Sequence, residues 1–328
     1  MIKNFYNTKR ILVTGGTGLI GIQLVKMLSK FNASIKVASL EVNHSLPKKI
    51  KFIKCDLRKI DNCIKITKNI DFVFHLAGIK GSPQMALEKP YEFMSSMLMF
   101  NTNIIEACRI NKVKKLMYTS SIGVYQPSKI LIEEDVWRTF PSKNDWYAGW
   151  AKRIGEINIE ALKKSHKIDT YIVRPANVFG PYDNFNKDNA MVIPSLINKF
   201  LNSNKNIEVF GDGSNIRDFI YSKDVAKAML LIMYKNYQKP INIGSGKKVS
   251  IKNLVNLINK IINNKNKIKW IKNKNTGDKI RLMNISKLKK LGFRSNFALE
   301  DALRETIYWY KINKNKNLHK YNAFEEKI

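Results

Sequence analysis

The 328-residue chain is poor in cysteine, poor in acids and free of long apolar runs. Three cysteines, Cys55, Cys63 and Cys108, are too few and too scattered for a disulfide or zinc framework, so no metal site and a reducing compartment, the cytoplasm, are expected. No stretch is apolar for long enough to span a bilayer, and Met1-Ile2-Lys3-Asn4-Phe5 lacks a signal-peptide core, which argues against a membrane partner. Only 26 acidic residues face 58 Lys and Arg, a net charge of +32. That excess would suit a nucleic-acid binder. Yet the lysines run along the whole chain, interleaved with asparagine as in Asn263-Asn264-Lys265-Asn266-Lys267, and no helix-turn-helix, zinc-finger or RNP-like pattern accompanies them. No nucleic-acid partner is therefore expected, although a positive field would help capture an anionic substrate. Internal repeats and Pro- or Ser-rich linkers are also missing.

What is present begins at Thr14-Gly15-Gly16-Thr17-Gly18-Leu19-Ile20-Gly21, directly after the apolar run Ile11-Leu12-Val13. A buried strand feeds a glycine-rich turn, and the pattern Leu19, Ile20, Leu24, Leu28 predicts a helix behind it. This is the layout of a dinucleotide-phosphate cradle, with bare N–H groups and a partial positive charge at the helix start. Gly15 suits a tight turn, Gly18 a close approach to pyrophosphate, and Gly21 close helix–strand packing.

Short apolar strands at 10–14, 35–39, 51–54, 71–75, 115–120 and 170–174 alternate with helical patterns near 19–30, 60–68, 86–111 and 147–166. The alternation predicts an α/β fold, a Rossmann-type doubly wound parallel sheet. After Arg174-Pro175 the texture changes to a loop at Gly180-Pro181-Tyr182-Asp183-Asn184, a helix near Met191–Leu201 and a small α/β segment over 244–310. The expected division is a cofactor-binding domain over 1–175 plus about 219–243, a smaller C-terminal substrate lobe over 176–218 and 244–310, and a basic tail over 311–328.

Other chemistry clusters at the strand ends. Asp56, in Cys55-Asp56-Leu57, could accept from an adenine amino group or cap the next helix. The small residues of His75-Leu76-Ala77-Gly78 let a flat ring lie against the backbone, and His75 reads as structural. Ser121, in Ser120-Ser121-Ile122-Gly123-Val124-Tyr125, stands at a sheet edge where open α/β sheets bind ligands, and is either a partner for a substrate hydroxyl or a capping serine. Lys152, in the run Tyr147 to Glu156, could hold a nicotinamide ribose or be a surface lysine.

In this order, Thr14–Gly21, Asp56-Leu57, His75–Gly78, Ser120-Ser121, Lys152 with Glu156, Arg174-Pro175-Ala176-Asn177 and Arg217-Asp218 resemble the extended short-chain dehydrogenase/reductase family of sugar-nucleotide epimerases and dehydratases. The resemblance spans roughly 10–310. Asn103–Ala107, Lys114–Leu116, Gly180–Phe185 and Val192-Ile193-Pro194 are similar to the GDP-fucose synthase branch, and more weakly to GDP-manno-heptose 4-dehydrogenases or epimerases. The resemblance implies that Gly15, Thr17, Gly18, Leu19, Ile20, Gly21, Asp56, Leu57, Leu76, Ala77, Gly78, Lys152 and Pro175 line the cofactor. It implies that Ser121, Asn177, Val192, Arg217 and Arg281 meet a GDP-sugar, with both arginines at the diphosphate. It also implies a homodimer or homotetramer through the helices near 90–110 and 147–166, to which Met94, Met97, Leu98 and Ile105 could contribute.

The sequence departs from that family at the reacting centre. The family tyrosine stands four residues before the lysine, one helical turn away. Here that position is Ala148, and Tyr147, five residues back, would point about 140° away at ~100° per residue. Either Tyr147 reaches the site from a non-helical first turn or the general base is absent; the spacing favours absence. The Cys and His that invert two carbons in GDP-fucose synthase align with Gly123 and Met191, which cannot transfer protons. Ser39 and Glu41 after the second strand, with no cation before Lys48, favour NAD over its 2′-phosphate. The implied chemistry is NAD-dependent oxidation at C4 of a GDP-linked sugar, with Ser121, Lys152 and Tyr147 as candidate catalytic groups; a 4-epimerase or a non-catalytic binding protein are the alternatives.

Overall fold

The computed structural model describes residues 1–41, 45–79, 88–187, 189–203, 206–263, 266–272 and 276–315. Within β1 (Arg10–Thr14), β2 (Ser34–Ser39), β3 (Lys51–Lys54), β4 (Phe72–His75), β5 (Lys115–Thr119) and β6 (Asp169–Pro175), successive side chains point to opposite faces. Ile11 and Val13, Phe72 and Phe74, Met117, and Tyr171 and Val173 join one core, while Leu12, Val73, Leu116 and Ile172 join another. Both faces are thus apolar, as befits a parallel sheet whose helical crossovers cover each side. The sheet order is the strand Ile241–Ile243, then β6, β5, β4, β1, β2, β3, all parallel.

Helices Gly21–Leu28 and Ser222–Tyr234 cover the first face through Leu24, Val25, Leu28, Val225 and Met229. Helices Ile60–Thr67, Pro90–Ile110 and Trp146–Ser165 cover the second through Ile66, Met97, Ile104, Ile159 and Leu162. Met97 and Ile105 are buried in this core, and Met94 and Leu98, partly buried, pack against it. The apolar side chains those two helices leave exposed are Tyr91, Met99, Ile110, Trp146, Tyr147, Ile154 and Ile157. Of the expected helical pattern at 86–111, residues 86 and 87 lie outside the described residues, as do Lys80, 188 and the tail from 316.

A third core, around Phe200, Leu254, Ile258 and Leu303, joins helices Val192–Asn202, Ile251–Ile262 and Leu299–Asn313 to the paired strands Ile207–Phe210 and Ile268–Ile271. The last helix runs three residues past 310. Residues Met283, Ile285, Leu288 and Phe293, expected in the substrate lobe, instead pack into the first sheet core. Between the lobes lies a small sheet, Val249–Ser250, Ile216–Arg217 and Ile280–Arg281, whose parallel register sets Arg281 opposite Arg217.

Candidate active site

The strand order reverses between β1 and β4, and a cavity of about 450 Å³ opens at the carboxyl ends of the strands there. Gly15 adopts φ +65°, and a Cβ on it would meet the Ala77 backbone at 2.8 Å. A Cβ on Gly21 would collide with the Gly15 carbonyl, whereas one on Gly18 would meet only Gly15 O, at 3.3 Å. The turn is therefore held by two glycines and left open by the third, which fits a bound pyrophosphate. Thr17, Leu19, Ile20, Leu57, Leu76, Gly78 and Pro175 all line the cavity. Thr17 Oγ1 shares a hydrogen bond with Ser39 Oγ at 2.7 Å, and Glu41 lines the same end. Asp56 lines it as well but caps no helix. Its Oδ1 accepts the Arg58 N–H at 2.9 Å, and both oxygens hold the Arg58 guanidinium.

At the other end stand Lys152, Ser121 and Asn177. Lys152 Nζ is buried and donates to Thr119 O at 2.9 Å. Burial pulls its pKa down to about 8, against the opposing pull of Glu156 one turn on. Glu156 is fully buried, with Arg174 clamped to it by two bonds of 2.9 and 2.6 Å. That pair ties the lysine helix to β6. Behind Lys152, His75 bonds Thr14 at 2.7 Å and Asn101 at 2.9 Å, and Asn101 donates to Tyr118 OH. Burial, with Lys152 nearby, pulls the His75 pKa down to about 3, so this histidine is a neutral structural group. Ser121 Oγ accepts the Gly123 N–H at 3.1 Å, so it caps a turn and still has its own proton to donate into the cavity.

The tyrosine question resolves geometrically. The helix starts at Trp146, and Ala148 lines the cavity while Tyr147 does not; its ring is 40 % exposed elsewhere. Gly123 and Met191 also line the cavity, as do Val192 and Arg281. Arg217 is placed differently from the expectation. It is not among the lining residues, and its guanidinium donates to Ile216 O and Thr276 O, both at 2.9 Å. Burial and the neighbouring Arg281 bring its pKa down to about 10. Asn177 likewise spends its amide on Asp218 O.

Sequence reasoning missed Asp145. It lines the cavity and is ion-paired with Arg281, which also bonds Asp278. Burial disfavours the Arg281 charge, but the two carboxylates outweigh it and its pKa is raised. Also missed were the hydroxyls of Thr119 and Ser120, buried at the cavity wall without a hydrogen-bond partner among the described residues. Their only signal was their place at the end of β5.

Sheet, cradle and a lysine–serine pair at the switch point define a dinucleotide-dependent enzyme of the short-chain dehydrogenase/reductase type. The chain belongs to the NAD dependent epimerase/dehydratase family, whose sequence model matches residues 11–244, and its cofactor is NAD. It is 33% identical over 237 residues to a putative GDP-L-fucose synthase 2 of Arabidopsis thaliana, covering 68% of this chain and 70% of that one. It is 28% identical to a GDP-mannose 3,5-epimerase 1 of Oryza sativa subsp. indica, over 92% of this chain and 82% of the relative. Among solved structures, a UDP-N-acetylglucosamine 4-epimerase from Methanobrevibacter ruminantium M1 superposes with a TM-score of 0.85 at 29% identity, covering 94% of this chain and 99% of that one.

Proposed function

We propose that the protein oxidises C4 of a GDP-linked sugar, of the GDP-mannose or GDP-manno-heptose type, to a 4-keto sugar nucleotide. The observation that carries this reading is the composition of the cavity's reacting end. Ser121 and Lys152 are in place to act on a hydroxyl, whereas Gly123, Ala148 and Met191 offer no acid/base pair to invert neighbouring carbons. Bound NAD supplies the hydride acceptor. Ser121 polarises the sugar hydroxyl, Lys152 holds the cofactor ribose, and Arg281, with Arg217 beside it, meets the diphosphate. The GDP preference follows the two relatives named for GDP compounds. A second reading, 4-epimerisation, is favoured by the 4-epimerase at 29% identity. On either reading we assign 1–175 with about 219–243 to the cofactor and 176–218 with 244–310 to the sugar, apart from the stretch around Met283–Phe293 that packs on the sheet core. We also assign a homodimer or homotetramer to the exposed apolar stretch of helices Pro90–Ile110 and Trp146–Ser165.

The test mixes stoichiometric enzyme and NAD with GDP-mannose, GDP-manno-heptose and matching UDP-sugars, following NADH fluorescence and identifying products by mass spectrometry and NMR. NADH equal to the sugar consumed, with a 4-keto product, is expected. A C4-inverted sugar without net NADH would select the epimerase. Unchanged sugars throughout would remove both.

A further inference from the structure

With Ala148 in the tyrosine position, the hydroxyl proton needs another destination. Asp145, Ala148 and Lys152 are three and four residues apart, so they share one helix face, and all three line the cavity. Asp145 occupies the N-cap position of its helix, where an aspartate ordinarily accepts a backbone N–H. It makes no such bond. Its carboxylate turns to Arg281 instead and lies against Gly123, where a Cβ would stand 3.3 Å from its Cβ and Cγ. Gly123 is two residues from Ser121 and donates to it. The carboxylate thus occupies room left by the missing side chain of Gly123, between the serine turn and the arginine.

We infer that Asp145 accepts the proton of the sugar hydroxyl, and that it is freed to do so when the substrate's diphosphate takes Arg281 from it. This rests on the oxidation reading above. While Arg281 is bound to it, the Asp145 carboxylate has its Oδ2 engaged by the guanidinium and not turned to the substrate. A diphosphate presents more negative charge and matches the planar guanidinium fork equally well, so it displaces the carboxylate. Asp278 still holds Arg281 through Oδ2 at 2.9 Å, which keeps the arginine in place during the exchange. The step balances. The O–H bond breaks with its proton passing to an Asp145 oxygen, the C–H electron pair leaves as hydride to oxidised NAD, the C=O bond forms, and the acid later returns the proton to water. The arrangement ties proton removal to the presence of a complete sugar nucleotide.

Two readouts on NAD-loaded full-length enzyme test this. Calorimetry with GDP should show Asp145→Asn binding about fivefold tighter than wild type, since a competitor for Arg281 is gone. Single-turnover NADH formation with the reactive GDP-sugar should fall about a hundredfold or more. Adding Ala148→Tyr to Asp145→Asn should restore at least about tenfold of that rate, because a phenol then stands one turn before Lys152. Tighter binding together with a lost and rescued rate supports the proposal; a structural lesion would weaken both. An unimpaired rate in Asp145→Asn, or GDP binding that is no tighter, overturns it while leaving the oxidation reading intact. Wild-type enzyme that forms no NADH with any GDP-sugar overturns the oxidation and the proton acceptor together.

Discussion

At the scale of single residues, Ala148 stands one helical turn before Lys152, and Tyr147 one residue earlier. Tyr147 is turned out of the cavity, so Tyr147→Phe should leave turnover within about twofold of wild type; a hundredfold loss would show that the ring reaches the substrate. The sequence favoured that placement while leaving a non-helical first turn open, because helical geometry separates positions four and five residues before Lys152. Asp145 was not legible: its partner Arg281 lies 136 residues away. The direction of the Arg217 guanidinium depends on the Thr276 carbonyl, and no local pattern encodes that. His75 supplies a pH signature. Its pKa lies at about 3 in the fold against an ordinary 6.5, so the unfolded chain takes up a proton below pH 6.5 that the native state refuses. Stability should therefore fall on acidification through that window, by roughly 2–3 kcal/mol at about pH 4.5 from this group. Denaturant titrations of wild type and His75→Gln should show their stability gap narrowing as the pH drops; a constant gap would contradict it.

At the scale of elements, six of the seven strands of the sheet were readable from their apolar runs and lie within two residues of the expected spans, whereas the short strand Ile241–Ile243 was not expected. The cradle was readable because its glycines answer to local sterics. A methyl on Gly21 has no space against the Gly15 carbonyl, so Gly21→Ala should cost about 1–3 kcal/mol of stability. It should also weaken NAD binding more than about tenfold by fluorescence titration. Wild-type affinity in that variant would mean that the helix can shift away from β1. The strands Ile216–Arg217, Val249–Ser250 and Ile280–Arg281 escaped the sequence reading because two residues carry no periodicity. Their pairing comes from segments that tertiary packing brings together. The same packing drew Met283, Ile285, Leu288 and Phe293 onto the sheet core rather than into the second lobe.

At the scale of the whole molecule, the seam between the lobes is polar. Ser142 and Asn144, ahead of the lysine helix, donate to Asp278 at 2.6 and 2.7 Å, and Arg281 reaches back to Asp145. The seam also carries the register that sets Arg217 beside Arg281. Two like charges in adjacent, two-residue strands oppose the pairing that aligns them, so this sheet is held in place by its surroundings more than by itself. An anion bound by Arg281, which lines the cavity, would offset that repulsion. The nucleotide then becomes a load-carrying part of the architecture, and the backbone records its arrival. Hydrogen–deuterium exchange at residues 216–218 and 280–283 should slow by about tenfold or more when GDP is added, well beyond any change in β1 or β4. Equal exchange with and without GDP would show the seam to be rigid already. If it slows, the enzyme completes its fold only in the company of the molecule it works on.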